Sequence, residues 1–217
     1  MTINTKTLAA IDIGTNAIRL FISNVEEYPT ETLFKKIAFL RVPIRLGEDV
    51  FTTGEIGQQK GKRLCETMQG FSYIMSAFNV ESYKAYATCA MREARNGKSV
   101  AEQIQKECDL NIEIISGTKE AETIFAGGMN EVVDDDKTYL YVDVGGGSTE
   151  VIVYSKSVKV EACSFPLGTV RMLNDAMDKE EMKHFKKWLK NITEKYTPDA
   201  IIGSGRNINK IHKLLNK

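Results

Sequence analysis

The sequence has few of the residues on which several common kinds of site depend. Its four cysteines are Cys65, Cys89, Cys108 and Cys163. They form no Cys-x-x-Cys pair, so neither a zinc site nor a disulfide framework is expected, and reduced buried thiols are the default. Only two histidines occur, His184 and His212, so histidine-dependent phosphoryl transfer is not expected. Any phosphoryl chemistry would therefore depend on carboxylates, cations and backbone dipoles.

The chain also lacks a net charge and a long apolar run. It has 29 basic and 29 acidic residues, so no global field favours nucleic acid or an anionic membrane. No segment reaches the ~18 apolar residues of a membrane span, and no leader is evident, so we predict a cytoplasmic protein. Residues 178–217 carry ten Lys or Arg against five Asp or Glu. This excess suits a polyanionic substrate, and a solvated basic helix face explains it equally well.

Hydrophobic periodicity predicts an α/β protein. The predicted strands span 8–14, 17–25, 33–42, 82–91, 111–115, 138–144, 149–155, 158–165 and 200–202. Predicted helices include a long one with a Thr52/Glu55 capping box, one with a Ser99/Glu102 capping box, and others over 118–132, 178–195 and from 207. The long helix should bury Leu64, Met68, Phe71, Met75 and Phe78 on one face.

The two halves of the sequence repeat one order of elements: strand, Asp-containing turn, strand, strand, helix, strand, helix. Asp12-Ile13-Gly14 and Asp143-Val144-Gly145 match at an offset of 131 residues, as do the apolar residues that follow them. We therefore predict two related lobes, residues 1–126 and 127–217. A ligand site is expected in a cleft between the two loops.

The loops have the composition of phosphate-binding turns. Three glycines, Gly145, Gly146 and Gly147, precede Ser148, and consecutive backbone N–H groups in such turns form an anion-binding nest. The first loop offers Gly14, Thr15 and Asn16, followed by Arg19. A pair of tight hairpins without a ligand is the alternative. No Gly-x-Gly-x-x-Gly or Gly-x4-Gly-Lys-Ser/Thr fingerprint occurs.

Acidic residues at the strand ends are candidate metal ligands. Asp12 and Asp143 each precede a loop, and Glu150 follows the second loop. Carboxylates beside bound phosphates commonly hold Mg²⁺ through water, so Mg²⁺ or another divalent cation is expected here. Alternatively, an aspartate at this position caps its own turn.

Five ordered strings make the chain resemble the exopolyphosphatase and guanosine pentaphosphate phosphohydrolase family. They are AAIDIGTNAIRLFI, ATCAMREARN, IISGTKEAETIFAGG, VDVGGGSTEV and SFPLGTVRM. That family belongs to the superfamily of actin, sugar kinases and the heat-shock chaperone ATPase. The resemblance implies two ribonuclease H-like lobes, each a mixed five-stranded sheet flanked by helices.

The resemblance also implies roles for individual residues. Glu120 matches the glutamate that orients or deprotonates the attacking water, whereas Glu122, two residues further along a helix, should point elsewhere. Arg92 matches a phosphate-binding arginine, and the two loops match the family's phosphate loops and metal-associated acids. Members are often dimers, so a homodimer is one expectation.

The sequence departs from the family pattern in two places. The third glycine-rich turn reads Gly203-Ser204-Gly205-Arg206, where an arginine either adds a phosphate contact or disturbs a turn that needs a positive φ. The second lobe is also shorter than a full lobe, which implies either a truncation or a naturally shortened protein.

We therefore expect a Mg²⁺-dependent hydrolase that releases the terminal phosphate of polyphosphate, or of pppGpp to give ppGpp. The sequence does not separate these two substrates. A small-molecule kinase of the same superfamily and a non-catalytic polyphosphate or nucleotide sensor remain the alternatives.

Overall fold

The computed structural model describes residues 4–126, 134, 136–156 and 158–215. The chain divides into two compact units, with the boundary between Ile115 and Ser116, and each unit contains one sheet. Among the described residues, no helix combines the length and the apolar character needed to cross a membrane.

The first unit is a mixed five-stranded sheet with four helices. Its strands are β1 (Asn4–Ile13), β2 (Ile18–Glu27), β3 (Thr32–Val42), β4 (Ser82–Ala87) and β5 (Glu113–Ile114). The spatial order is β3-β2-β1-β4-β5, with β1 antiparallel to β2 and parallel to β4. The helices are α1 (Leu46–Thr53), α2 (Gln58–Ala77), α3 (Cys89–Glu93) and α4 (Gly97–Cys108).

The second unit repeats this topology with four strands. It contains α5 (Gly117–Ala126), β6 (Thr138–Val144), β7 (Thr149–Ser155), β8 (Val158–Phe165), α6 (Thr169–Leu173), α7 (Lys179–Tyr196), β9 (Ala200–Ser204) and α8 (Arg206–Leu215). The sheet order is β8-β7-β6-β9. As in the first sheet, the first two strands, β6 and β7, are antiparallel, and β6 is parallel to its other neighbour, β9. The predicted pair of related mixed sheets, the second one incomplete, is confirmed.

The repeat extends to an irregularity in the strands. The pairing of β2 with β3 shifts register between Ile22 and Ser23, and that of β7 with β8 shifts between Val153 and Tyr154. The two shifts lie 131 residues apart, the same offset as the two Asp-containing turns. A β-bulge bends its strand locally. The two halves therefore share this irregularity as well as their order of elements.

Alternation along the strands directs successive side chains to opposite faces of each sheet. In the first sheet, Ile11 and Leu20 are buried in the core formed with α2 and α4. In the second sheet, Val151 packs in the cluster that includes Trp188 of α7, whereas Ile152 packs with Ala121 of α5. Helices therefore cover both faces of the second sheet.

Helix α5 belongs to the second unit because its apolar side packs on β7 and β8. The sequence prediction placed the division between residues 126 and 127, after this helix. A helix at a boundary joins the sheet that buries its apolar stripe, and periodicity alone does not identify that sheet. The part of the predicted 118–132 helix beyond Ala126 lies outside the described residues.

The first predicted capping box is wrong. Thr52 lies in the last turn of α1, where its hydroxyl donates to the Glu48 carbonyl over 2.6 Å. Gly54, with φ of 78°, ends α1, and α2 begins after Gly57. A glycine in the left-handed region stops a helix, so the long helix begins beyond Gly54 rather than at Thr52, and α1 is an additional helix before it.

Other predicted boundaries also shift. The predicted 82–91 strand ends at Ala87, and Cys89–Glu93 is helical. The predicted core stripe of α2 is buried except for Phe78, which caps the helix and is 42% exposed. Phe78 follows the last helical residue, so it no longer lies on the apolar face.

The second predicted capping box is wrong as well, because α4 begins at Gly97 with Asn96 as its N-cap residue. The Asn96 side chain instead bonds both backbone groups of Ile56, accepting from its N–H and donating to its carbonyl, each over 2.9 Å. These bonds tie the start of α4 to the connection between α1 and α2.

Asn96→Ala is expected to lower the free energy of unfolding by about 2–4 kcal/mol, because two backbone groups lose their partner. Ser99→Ala is the matched control. Because Ser99 is exposed, this substitution should change the free energy of unfolding by less than about 0.5 kcal/mol. Urea unfolding of both variants measures the difference. Equal effects would contradict the role of Asn96.

Candidate functional site

The first candidate phosphate loop is a tight turn between β1 and β2. The Gly14 N–H donates to the Ala17 carbonyl over 3.2 Å, which closes the turn. The carbonyls of Thr15 and Asn16 accept from Gly47 N–H (2.9 Å) and Arg45 N–H (3.0 Å) at the start of α1. The start of α1 therefore holds the loop in place by donating hydrogen bonds to the carbonyls of the loop.

The second loop has the same construction between β6 and β7. The Gly145 N–H donates to the Ser148 carbonyl over 2.9 Å, 131 residues from its counterpart. The Gly145 and Gly146 carbonyls accept from Thr169 N–H (3.1 Å) and Val170 N–H (2.7 Å) at the start of α6. Within the described residues, the N–H groups of Gly146, Gly147 and Ser148 donate to no acceptor, as the N–H groups of an anion-binding turn would.

Helix α6 contributes a buried arginine that the sequence analysis did not select. Arg171 is 9% exposed, and its Nε donates to the Gly147 carbonyl over 2.7 Å. This bond and the α6 backbone together hold the carbonyls of three consecutive loop residues. The sequence showed Arg171 only as part of the SFPLGTVRM string, and nothing in a single string distinguishes a buried arginine from a surface one.

A glycine near the start of α1 lets that helix approach the first loop closely, and a glycine just before α6 does the same for the second loop. A Cβ on Gly47 would lie 2.3 Å from Cγ2 of Thr15, and one on Gly168 would lie 2.4 Å from the Gly146 carbonyl oxygen. Thr15 and Gly146 are equivalent in the repeat. No local pattern in the sequence indicates either contact, because α1 and α6 are not among the predicted helices.

The acidic residue of the first loop is paired with a cation. Asp12 and Arg19 are register partners on β1 and β2, and their side chains form a salt bridge. Burial raises the pKa of the Asp12 carboxyl because it disfavours the charged form, and the Arg19 guanidinium partly offsets that rise. Two predicted site residues therefore neutralise each other at the edge of the first sheet.

At the equivalent position of the second sheet, a carboxylate replaces the arginine. Asp143 pairs with Glu150 in register, and Glu150 pairs with Ser164 on β8. Glu150 is 1% exposed and accepts a hydrogen bond of 2.8 Å from the Ser164 hydroxyl. Two neighbouring carboxylates and a hydroxyl form an oxygen-rich row of the kind that a hard divalent cation prefers.

The described parts of the chain hold no group of three His, Cys, Asp or Glu side chains arranged around a metal position. Mg²⁺ needs fewer protein ligands than that, since it usually keeps several waters and binds one or two carboxylates plus substrate phosphates. The Asp143–Glu150 pair therefore fits Mg²⁺ by its donor chemistry, and it remains a predicted metal site.

Glu120 lies in the first turn of α5 and is partly buried. Strand alternation places Asp143 and Glu150 on the face of the second sheet that α5 covers, because Tyr141 and Ile152 pack with Ala121. Glu122 instead contacts Lys159 of β8, with Oε1 at 2.6 Å from Nζ. The two glutamates of α5 therefore point to different surroundings, as the helical spacing predicts.

Arg92 lies on α3, which follows β4. Its Nη1 donates to the Ile115 carbonyl over 2.8 Å, at the end of β5. The first loop also follows the carboxyl end of its strand, and Thr88 N–H donates to the Ile13 carbonyl over 3.1 Å. The structure thus brings Arg92 and the first loop to the same edge of the first sheet, where α/β proteins bind ligands.

The third glycine-rich turn has its positive φ at Gly205, at 99°, beside Asp143. A Cβ there would lie 2.9 Å from Oδ1 of Asp143 and 2.7 Å from the Val144 carbonyl oxygen. Arg206 is the first residue of α8, with helical backbone. The arginine therefore does not occupy the position that needs a positive φ.

Comparison with known proteins identifies the family. Residues 22–208 match the Ppx/GppA phosphatase family. The chain is 32% identical over 168 residues to the bifunctional 3-dehydroquinate synthase/phosphatase of Fusobacterium nucleatum, covering 76% of this chain and 25% of that protein. It is 24% identical over 225 residues to exopolyphosphatase 1 of Mycobacterium tuberculosis, covering 95% and 63%.

A solved structure supports the same assignment. The crystal structure of an exopolyphosphatase from Cytophaga hutchinsonii matches with a TM-score of 0.80 at 27% identity, over 92% of this chain and 67% of that one. The chain thus spans from a quarter to about two thirds of the length of these relatives. Since the family match extends over most of its residues, the chain belongs to the Ppx/GppA phosphatase family.

Proposed function

We propose that the chain hydrolyses a terminal phosphoanhydride bond, with linear polyphosphate or pppGpp as the substrate. The observation that carries this proposal is the second loop. The carbonyls of Gly145, Gly146 and Gly147 accept hydrogen bonds from α6, whereas the next three N–H groups have no acceptor in the described part of the chain. The paired carboxylates Asp143 and Glu150 flank this loop. Exopolyphosphatases among the relatives support the same reaction class.

In the proposed reaction, Glu120 takes a proton from the attacking water. The N–H groups of Gly146, Gly147 and Ser148 hold oxygens of the terminal phosphoryl group. As the water oxygen bonds to phosphorus, the bridging P–O bond breaks and the remaining chain leaves as an anion. Positioned donors suffice for much of this catalysis, since charge stabilisation dominates phosphoryl transfer.

A divalent cation would be held by Asp143 and Glu150. When bound, it would neutralise charge on the phosphate oxygens. The Ser164 hydroxyl fixes Glu150 in place by donating to Oε1. In the first unit, Arg92 and Arg19 remain the predicted phosphate-binding cations. Arg19 also forms the salt bridge with Asp12, and a planar guanidinium can bind two oxygens at once.

The decisive experiment measures phosphate release from polyphosphate and from pppGpp side by side, with Mg²⁺ and with EDTA. Release from either substrate that requires the metal supports the proposal. Calorimetric binding of both substrates without any release would instead support the sensor alternative, and ATP-dependent phosphorylation of a sugar or carboxylate would support the kinase.

Glu150→Gln tests the metal site. The substitution keeps the side-chain volume but removes the charge, so we expect the Mg²⁺ concentration for half-maximal phosphate release to rise by about tenfold or more. Glu161→Gln is the matched control, because Glu161 on β8 pairs with Lys195 over 2.6 Å on the exposed surface. An unchanged Mg²⁺ requirement in the Glu150 variant would remove this residue from the metal site.

A further inference from the structure

Two thiols meet between helices α2 and α4 of the first unit. Sγ of Cys65 lies 3.8 Å from Sγ of Cys108, although the two residues are 43 positions apart in the chain. Cys65 lines a groove of about 860 Å³ between these helices. We propose that Cys65 and Cys108 form a dithiol site that a small-molecule disulfide oxidises reversibly, linking α2 to α4.

The two sulfurs are in van der Waals contact. A disulfide has an S–S distance of about 2.05 Å, so the two sulfurs must approach by about 1.8 Å. Cys108 is the last residue of α4, and Asp109 leaves the helix with φ of 54°. A residue at a helix end has fewer backbone bonds that resist a small shift than one in the middle. Closing the distance is therefore expected to move the end of α4 rather than α2.

The two thiols differ in their exposure to solvent, so each is expected to act in a different step of the oxidation. Cys65 is partly exposed and opens to the groove, whereas Cys108 is 4% exposed. The Cys65 thiolate attacks a disulfide RSSR, the S–S bond of the reagent breaks and one RSH leaves after protonation. The Cys108 thiolate then attacks the mixed disulfide at Cys65, releasing the second RSH. The protein loses two protons and two electrons, which the reagent gains.

A neighbouring carboxylate restrains this reaction. The Cys65 thiol donates to Oε2 of Glu107 over 2.9 Å, and Glu107 also accepts from the Gln103 amide over 2.9 Å. Burial and this carboxylate raise the pKa of the Cys65 thiol to about 12, and burial raises the pKa of Cys108 as well. The thiols therefore stay protonated near neutral pH. The pair is therefore expected to oxidise slowly at neutral pH.

The test treats the full chain with oxidised glutathione and maps its peptides by mass spectrometry. We expect a cross-link between the peptides that contain Cys65 and Cys108, reversed by dithiothreitol. The oxidised chain should unfold about 5–10 °C higher, since the bond closes a loop of more than 40 residues. An adduct of glutathione on Cys65 that does not proceed to the cross-link would overturn the proposal.

Variants separate the pair from the other thiols. Cys65→Ser and Cys108→Ser should each abolish the cross-link, and Cys163→Ser, in the second unit, should leave it intact. Circular dichroism of each reduced variant checks the fold, and the wild-type peptide map decides the matter if the buried Cys108→Ser variant does not fold. A cross-link that includes Cys89 or Cys163 would also contradict the assignment.

Glu107→Gln tests whether the Glu107 carboxylate slows the oxidation of Cys65. It keeps an acceptor near Cys65 and removes the charge, so the Cys65 pKa should fall. Each unit of that fall raises the thiolate fraction tenfold and lowers its nucleophilicity, for a net gain of about threefold in the oxidation rate. Glu66→Gln, on the same groove, is the control and should leave the rate unchanged. An equal rate in the Glu107 variant and the wild type would remove Glu107 from the site.

Discussion

Glu120→Ala should lower the rate of phosphate release by about 10²–10⁴-fold, the usual contribution of a positioned general base. Glu120 lies in the first turn of α5, whose Ala121 is fully buried, and alanine is a good helix former. The helix should therefore stay in place and the affinity for substrate should remain. Steady-state phosphate release and calorimetric affinity, measured on the same preparation, check both expectations.

Glu122→Ala is the matched control for this prediction. Glu122 lies on the same helix and has the same side chain, but it pairs with Lys159 on β8. An ion pair at an exposed site contributes little to stability, so this variant should keep its activity and its fold. Full activity in Glu120→Ala, or an equal loss in both variants, would sink the assignment of Glu120 as the base.

Gly168→Ala is expected to disable the second loop. The new Cβ would lie 2.4 Å from the Gly146 carbonyl oxygen and 2.5 Å from the carbonyl carbon of Gly147. These are backbone atoms, so either the loop or α6 must move, and the bonds from Thr169 and Val170 to the loop weaken. We expect a loss of about 2–4 kcal/mol in unfolding free energy and at least a tenfold loss of affinity for phosphate chains.

Gly70→Ala is the control for the glycine substitution. Gly70 lies within α2, and a Cβ there would meet no atom within 4 Å. Alanine in a helix interior is favoured over glycine by up to about 1 kcal/mol, so this variant should be slightly more stable. Chemical unfolding and calorimetric binding of pppGpp distinguish the two. Wild-type affinity in a folded Gly168→Ala protein would contradict the proposed role of the α6 contact.

The periodicity of the sequence predicted the sheets better than the helix ends. Residues 138–144, 149–155 and 158–165 were predicted as strands with the bounds that β6, β7 and β8 have. Strand patterning depends on which residues are apolar, which the sequence states directly. The Thr52 and Ser99 capping boxes failed because a cap depends on where the chain enters the helix. Gly54 and Asn96 set those points through backbone conformation and tertiary contacts.

The candidate site also has features that the sequence predicts and features that it does not. Both loops could be predicted, because glycines and strand-end aspartates are visible in a sequence. The supports of the loops could not, since Gly47, Gly168 and Arg171 act through close approach to residues more than twenty positions away. A contact of that range leaves no local pattern.

By itself, the sequence determined the duplication, the order of the strands and the two loops, because these follow from the spacing of apolar residues, glycines and acids along one chain. Only the tertiary structure decided how the two halves differ. Register pairs Asp12 with Arg19 in one sheet and Asp143 with Glu150 in the other. Cross-strand partners lie side by side on one face of a sheet, so the register places opposite charges together in the first sheet and two carboxyl groups together in the second.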